Sequence, residues 1–329
     1  MNPTDTDVHV NTPLSNVSVA FMQAAKNFVA DRVFPNVPST KRSDRYYVYN
    51  RGDFNRDEMA VRAPSSESAG GGYRVDNTPN FYCPTYAFHK DIDDEMRDNA
   101  DAVLSPDEEA TNFCTTKALI KREKLWVSKF FTTGVWTRDW TGTSGSPSGN
   151  YEFLQWNDAN STPIEDIREA KTYVLESTGF EPNKLVIGQR VMDVLIDHPD
   201  IIDRVKYGQT QGGPAKANAQ VLAQIFELDE VLVMKSIENT AAEAATASHS
   251  FIGGKKALLA YCAPAPGKMT PSAGYNFTWT GHLGASAYGG RILKFRIPQI
   301  KSDRVEIEMA FDQKVISADL GTFFTTVVA

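Results

Sequence analysis

The run that begins Ser105-Pro106-Asp107-Glu108 commits this chain to one long helix, and everything else has to be arranged around it. A serine ahead of a first-turn proline starts a helix, Glu108 is spaced to return the capping bond, and both acids sit at the positive end of the dipole. Phe113, Ile120, Val127 and Phe131 then fall on one stripe, widened by Leu119, Trp126 and Phe130, and the run stops by Gly134. The spacing predicts a helix over 105–133, about 29 residues or roughly 43 Å at 1.5 Å per residue. A rod of that length needs a sheet against it, so its aromatic stripe reads as core rather than as a cofactor box.

Around this helix there is chain enough for two or three domains: 329 residues, 41% hydrophobic and 23% charged, the profile of a folded protein. Lys and Arg number 34 against 41 Asp and Glu, a net charge of −7, which argues against a general nucleic-acid binder held by phosphate contacts. The three cysteines, Cys83, Cys114 and Cys262, are widely spaced and form no CxxC pair, which suits free thiols in a reducing compartment. No window approaches a membrane span, and the N-terminus has neither the basic start nor the apolar run of a secretory signal, so the expected location is the cytosol, with no membrane contact.

Ahead of the helix the chain looks unfinished. Val17, Phe21, Ala24, Ala25, Phe28 and Val29 recur at helical spacing, predicting a short helix over 17–33 that stops before Phe34-Pro35-Asn36-Val37-Pro38. The first fifty residues read as an arm with too few apolar residues for a core of its own, which has to lie on the rest of its subunit or on a neighbour. From Tyr46 to His89, aromatic strand-like flanks enclose a polar excursion with a Gly70-Gly71-Gly72 bend. Between Arg51 and Asp76 stand Arg51, Arg56, Arg62 and Arg74 interleaved with Asp53, Asp57, Glu58, Glu67 and Asp76, and almost no large apolar residue. Such a segment is either a mobile surface loop or a projecting hairpin that docks on another copy through arginine–carboxylate pairs.

Beyond the helix, Thr162-Pro163-Ile164-Glu165 opens a second helix. Strands at Lys184–Ile187 and Glu230–Ile237 alternate with helices at Gln189–Ile196, Pro199–Val205 and Asn218–Phe226, and Ala257–Cys262 continues this compact α/β unit. The tail alternates, with Val305, Ile307 and Met309 against Glu306 and Glu308, and reads as half-buried antiparallel strands at Arg291–Ile297, Arg304–Phe311 and Lys314–Ala318.

Chemistry is hard to find. There is no phosphate-binding GxxxxGK[ST], no GxGxxG after a strand, no HExxH and no GxSxG. The five histidines are scattered. Asp91-Ile92-Asp93-Asp94-Glu95 offers oxygen ligands without the spacing of a calcium loop and reads as a solvated face or an ion-pair surface. His198, between Asp197 and Asp200, reads as a helix-end motif rather than half of a dyad. No catalytic residue, metal or cofactor is assigned, and the chain is not read as an enzyme.

In order, several of these segments resemble the major capsid proteins of tailed bacteriophages: Arg32-Val33-Phe34-Pro35-Asn36-Val37-Pro38 followed by Tyr46-Tyr47-Val48-Tyr49; the polar hairpin with Arg62-Ala63-Pro64; Tyr86-Ala87-Phe88-His89-Lys90-Asp91-Ile92; the long capped helix; and Pro182-Asn183-Lys184-Leu185-Val186-Ile187-Gly188 with His198-Pro199-Asp200-Ile201-Ile202-Asp203-Arg204-Val205-Lys206-Tyr207. The resemblance implies an α+β fold of the Hong Kong 97 type. It divides the chain into an N-terminal arm (1–50), an extended β-hairpin loop (51–90), a peripheral domain (91–160) with the spine helix (105–133), an axial domain (161–285) and C-terminal strands returning to the peripheral domain (286–329). It implies a mechanical function: copies arranged as hexamers and pentamers in an icosahedral shell that encloses double-stranded DNA without reading its sequence, assembled in the host bacterial cytoplasm as part of a virion. An encapsulin-like nanocompartment shell is the alternative. Expected contact residues are Arg51, Arg56, Arg62, Arg74, Asp57, Glu58 and Glu67 on the loop and Phe34 and Pro35 on the arm. No lysine lies between Lys41 and Lys90, so the loop cross-link to asparagine made by some family members is not expected. Only sixteen residues precede the first predicted helix, too few for a fused scaffolding region, so a separate scaffold, a portal and possibly a decoration protein are the expected partners.

Overall fold

The computed structural model of the protein describes residues 22–100, 105–208, 218–284 and 290–329. After a 3-10 turn at Ala25–Asn27 come α1 (Ala30–Val33) and the strands β1 (Asn36–Ser39), β2 (Ser43–Arg45), β3 (Val48–Tyr49), β4 (Val75–Asp76), β5 (Asn80–Tyr82) and β6 (Thr85–Asp93). The long helix is α2 (Pro106–Phe130), followed by β7 (Arg138–Thr143), β8 (Glu152–Leu154), α3 (Pro163–Thr178), β9 (Lys184–Gly188), α4 (Gln189–Asp197), α5 (Pro199–Gly208) and α6 (Ala219–Ile225). The remaining strands are β10 (Glu230–Met234), β11 (Ile237–Asn239), β12 (His249–Phe251), β13 (Ala257–Ala260), β14 (Gly274–Trp279), β15 (Gly290–Ile297), β16 (Ser302–Val315) and β17 (Gly321–Thr325).

One sheet runs β10-β9-β13-β17-β7-β8. It is buried on both faces, which is why Leu185-Val186-Ile187 and Ala257-Leu258-Leu259-Ala260 are continuous apolar runs rather than alternating ones. Leu185, Ile187, Ala257, Leu259 and Phe324 face the cluster covered by α3 to α6. Val186, Leu258, Ala260 and Phe323 face the opposite cluster, which holds Trp126 and Phe130 of α2 and Val29, Val33 and Phe34 of the arm. The helix α3 stops at Gly179, whose left-handed φ of 78° lets its N–H close on the Leu175 carbonyl at 2.7 Å.

The second sheet is built on β16, a single 14-residue strand where the alternation predicted two. Its first part lies between β15 and β6; its last part pairs with β14, which carries β1 in parallel on its other edge. Val305, Ile307 and Met309 are buried and Glu306 and Glu308 half-exposed, following the alternation.

Three expectations need correcting. The helix is Pro106–Phe130, shorter than 105–133, and Ser105 makes no side-chain capping bond. In the first turn Asp107 takes Arg97 at 3.0 Å and Lys294 at 2.8 Å, so this acid serves tertiary ion pairs. The stripe is also rotated. Ala110, Cys114, Ala118, Arg122, Glu123, Trp126 and Phe130 are buried, whereas Phe113 is 43% exposed, because the sheet approaches the small side chains at four-residue spacing and leaves the bulkier 113-120-127 row at the margin. Finally, the helix predicted over 17–33 begins outside the described residues, and its described part is broken by extended backbone at Ala24 and Phe28. There the main chain bonds to the globule as well as to itself: the Lys235 N–H donates to Asn27 O, and the Val29 and Ala30 N–H groups donate to Glu123.

Candidate subunit-contact surface

The polar excursion leaves the globule on a two-stage stem, β2 paired antiparallel with β5 and β3 with β4. At its base, Phe81 stacks on Phe277 with ring centres 4.3 Å apart, and Asp312 accepts hydrogen bonds from the Tyr82 N–H at 3.1 Å and from Lys129 Nζ of α2 at 2.5 Å. The stem is thereby tied to the long helix. Further out the excursion holds itself together: Asp53 accepts from the Arg74 N–H at 2.9 Å and from its guanidinium at 3.2 and 3.3 Å, which holds the Asp53 carboxyl below the usual range. Beside that clamp, Tyr49, Phe54 and Tyr73 form a small aromatic cluster. Beyond it the chain has no core. Every described residue from Asn55 to Asn77 is exposed, and Met59 and Val61 are 94% and 101% exposed.

The residues singled out on the loop fall into two groups. Arg51 reaches back to Asp319 at 2.9 Å, Arg56 pairs with Glu58 at 3.0 Å, and Arg74 belongs to the Asp53 clamp. Asp57 accepts the Met59 N–H within the loop. Arg62 bonds only to the Ser66 carbonyl, at 2.6 Å, and Glu67 is exposed nearby. In the single chain, then, Arg51, Arg56 and Arg74 shape the loop, while Arg62, with Met59 and Val61, faces outward.

The arm behaves differently. Phe34, expected at a neighbour, is only 2% exposed and packs in this subunit's core, 4.7 Å from Phe130 and 6.2 Å from Trp126; its bulk is more cheaply desolvated there than at a rim. Pro35 is half-buried, and its carbonyl accepts the Asn276 N–H at 3.1 Å as β1 joins β14. Of the two places left open for the arm, its described part takes the first and lies on its own subunit.

The sequence reading missed the charged residues that fasten these pieces. Glu123, fully buried in α2, accepts from Val29, Ala30 and Ser236; Arg122 beside it bonds to Asp31 at 2.7 Å. The signal is Arg122 on the row Ala110, Cys114, Ala118, Arg122, Trp126, Phe130, with Glu123 beside it, but the apolar row 113-120-127 outweighs it.

Elsewhere the geometry speaks for structure rather than chemistry. His198 Nδ1 lies 3.2 Å from the Asp200 N–H and so acts as acceptor, which assigns the neutral-ring proton to Nε2, near Ser161 Oγ at 3.0 Å. Ser161 donates its own proton to the Asp158 carbonyl at 2.7 Å, so the pair is a buried cross-brace and not a nucleophile with its base. In the acidic stretch, Asp91 is held by Arg304 and Asp94 by Arg296, and these hydrogen bonds keep both carboxyls below their usual range. Among the described residues no helix is long and apolar enough to cross a membrane.

Comparison with known proteins places these features. Residues 154–281 match the family model for phage major capsid protein E. The chain is 25% identical over 322 residues to the major capsid protein of Pseudomonas phage JBD67, covering 97% of each. Among solved structures it is similar to the capsid of cyanophage P-SCSP1u (TM-score 0.60, 9% identity, 98% of this chain and 94% of that one) and to an encapsulin complex from Synechococcus elongatus (TM-score 0.58, 9% identity, 97% and 92%). The fold is the Hong Kong 97 type, α+β along nearly the whole chain.

Proposed function

From a chain with the Hong Kong 97-type capsid fold, we infer the major capsid protein of a phage, many copies of which form a closed shell around double-stranded DNA. The observation that carries the reading is the excursion over 51–76, braced at its stem and coreless beyond it. A segment fixed to the long helix through Asp312 yet exposing Met59 and Val61 has nothing among the described residues of its own subunit to cover it. A neighbouring copy would complete it, and repeated contacts of this heterologous kind close into a shell when the geometry permits. The function is mechanical and asks for no catalytic residue.

On this reading the loop 51–90 and the arm 1–50 are the joining elements, and the peripheral (91–160), axial (161–285) and C-terminal (286–329) parts form the wall. Arg62 is the foremost contact residue of the loop. Arg51, Arg56, Arg74, Asp57, Glu58 and Glu67 contribute through the loop's shape or by exchanging partners on assembly, and Pro35 acts from the arm. A separate scaffolding protein and a portal complete the particle, with a decoration protein as a further candidate partner and assembly in the host cytoplasm. The net charge of −7 suits a wall that does not grip the packaged DNA.

The likeness to an encapsulin supports a second reading, a nanocompartment around a protein cargo. Negative-stain microscopy of the expressed chain, alone and with a co-expressed scaffold candidate, tests both: closed particles are expected, and particles filled by an enzyme rather than DNA would favour the second. Arg62→Glu is expected to leave the subunit soluble and abolish particles. Normal particles from that variant would remove the loop from the mechanism.

A further inference from the structure

Within the long helix, Glu123 is a carboxyl at 0% exposure with no cation directed at it among the described residues. Its four contacts come from two other parts of the chain. Oε1 lies 3.2 Å from Ser236 Oγ and 3.1 Å from the Val29 N–H, and Oε2 lies 3.1 Å from Val29 N and 2.9 Å from Ala30 N. One side chain thus fastens the arm to the helix and to the chain that follows β10.

The surrounding charges are otherwise engaged. Arg122 on the same helix is bonded to Asp31 of the arm, Lys124 is paired with Glu238 of β11, Arg32 of the arm with Glu230, and Lys235, next to Ser236, is exposed. Among the described residues, Asp31 is the charged group that acts on Glu123, and it opposes ionisation. The buried cluster shared by this helix, the arm and the strands is hydrophobic, with Val29, Trp126, Met234 and Leu258 among its members. The donors also fit an uncharged acid. With the proton on Oε1, that oxygen donates to Ser236 Oγ, since a serine hydroxyl both gives and accepts, while Oε2 alone accepts from the Val29 and Ala30 amides. Both carboxyl oxygens then keep their partners with no buried charge.

We propose that Glu123 is a proton-operated latch: its neutral form holds the arm on the long helix, and loss of the proton loosens the arm. The latch belongs to the single subunit and stands whether or not copies assemble. Burial, opposed by the hydrogen bonds from Ala30, Val29 and Ser236, pushes the Glu123 carboxyl up to about 7 from its ordinary 4.5. If undocking returns it to water, the docked state binds the proton more tightly, so docking is firmest below pH 4.5 and weakens as the pH rises through about 7. The full span is on the order of a hundredfold in the docking equilibrium, of which about tenfold falls between pH 6 and pH 9.

Amide hydrogen exchange of peptides covering residues 25–34 reads this directly in the full-length, unassembled chain, with Glu123→Gln at the same pH as reference. Glutamine copies the neutral acid, its oxygen accepting from the two amides and its nitrogen donating to Ser236. Wild-type arm exchange relative to the variant is expected to rise about tenfold from pH 6 to pH 9. A flat ratio, or an arm that exchanges freely in the glutamine variant at every pH, would overturn the latch. Should Glu123→Gln not fold, wild-type arm exchange measured against its own β9 peptides gives the same rise or its absence.

Discussion

At the scale of the residue, several polar side chains act as fasteners between segments, most of them distant in sequence. Lys171 donates to the Phe226 and Glu227 carbonyls, both at 3.0 Å; Lys184 donates to the Arg32 carbonyl at 2.7 Å; Trp136 donates to the Phe130 carbonyl at 2.7 Å. Unpaired, such groups would each cost roughly 1–3 kcal/mol, so their partners are held firmly. The cysteines show the opposite case, burial without a task. All three are free, and burial pushes the Cys83 and Cys262 thiols up to about 12, away from the reactive thiolate. A thiol-reactive dye such as Ellman's reagent is therefore expected to find no reactive thiol in the folded chain and three after denaturation. A fast-reacting thiol in the native protein would contradict this burial.

The elements show how far tertiary contacts redirect local preference. The long helix keeps its start and its length to within a few residues, but its buried row is the one the sheet can approach most closely. That makes an unequal pair of substitutions the test of its rotation. Phe130→Ala, within a closed aromatic cluster, is expected to cost about 3–5 kcal/mol, and Phe113→Ala, at the margin against Phe88, no more than about 1 kcal/mol, both read from denaturant midpoints. Equal costs would mean that the 113-120-127 row is the buried one. The loop stem and the arm meet the same helix seven residues apart, at Lys129 through Asp312 and at Arg122 and Glu123. The element that reads in sequence as a spine for a sheet is also the attachment rail for both projecting pieces.

For the whole molecule, the buried Glu123 and the half-buried Asp166 weigh on the pH dependence of stability, and Asp31, also raised by burial, acts in the same direction. Burial, only partly offset by the Trp156 indole N–H, raises Asp166 to about 6, and Glu123 stands at about 7. Both bind protons more tightly folded than unfolded, so the stability they add is complete below their ordinary values of 3.8 and 4.5 and is lost as the pH rises through about 6 and 7. Asp91 and Asp303, lowered by Arg304 and Arg97, act the other way: what they add is present above 3.8 and lost as the pH falls. Tm is therefore expected to peak near pH 5 and to fall by several degrees towards pH 8, with the Glu123→Gln, Asp166→Asn double variant flatter over that range. A Tm that climbs from pH 5 to pH 8 would show that these two carboxyls do not govern the curve.

The sequence by itself determined which segments are rods, which are strands buried on two faces and which carry no core. Those properties follow from local chemistry: Pro106 behind Ser105, the unbroken Leu185-Val186-Ile187, and the interleaved charges from Arg51 to Asp76. Only the tertiary structure decided where the arm lies, which row of the long helix is buried and how the loop stem is braced. Each of those depends on a partner far along the chain, as Phe34 on Trp126, Val29 on Glu123 and Tyr82 on Asp312. Periodicity describes the face a segment offers, whereas burial is settled by what folds against it.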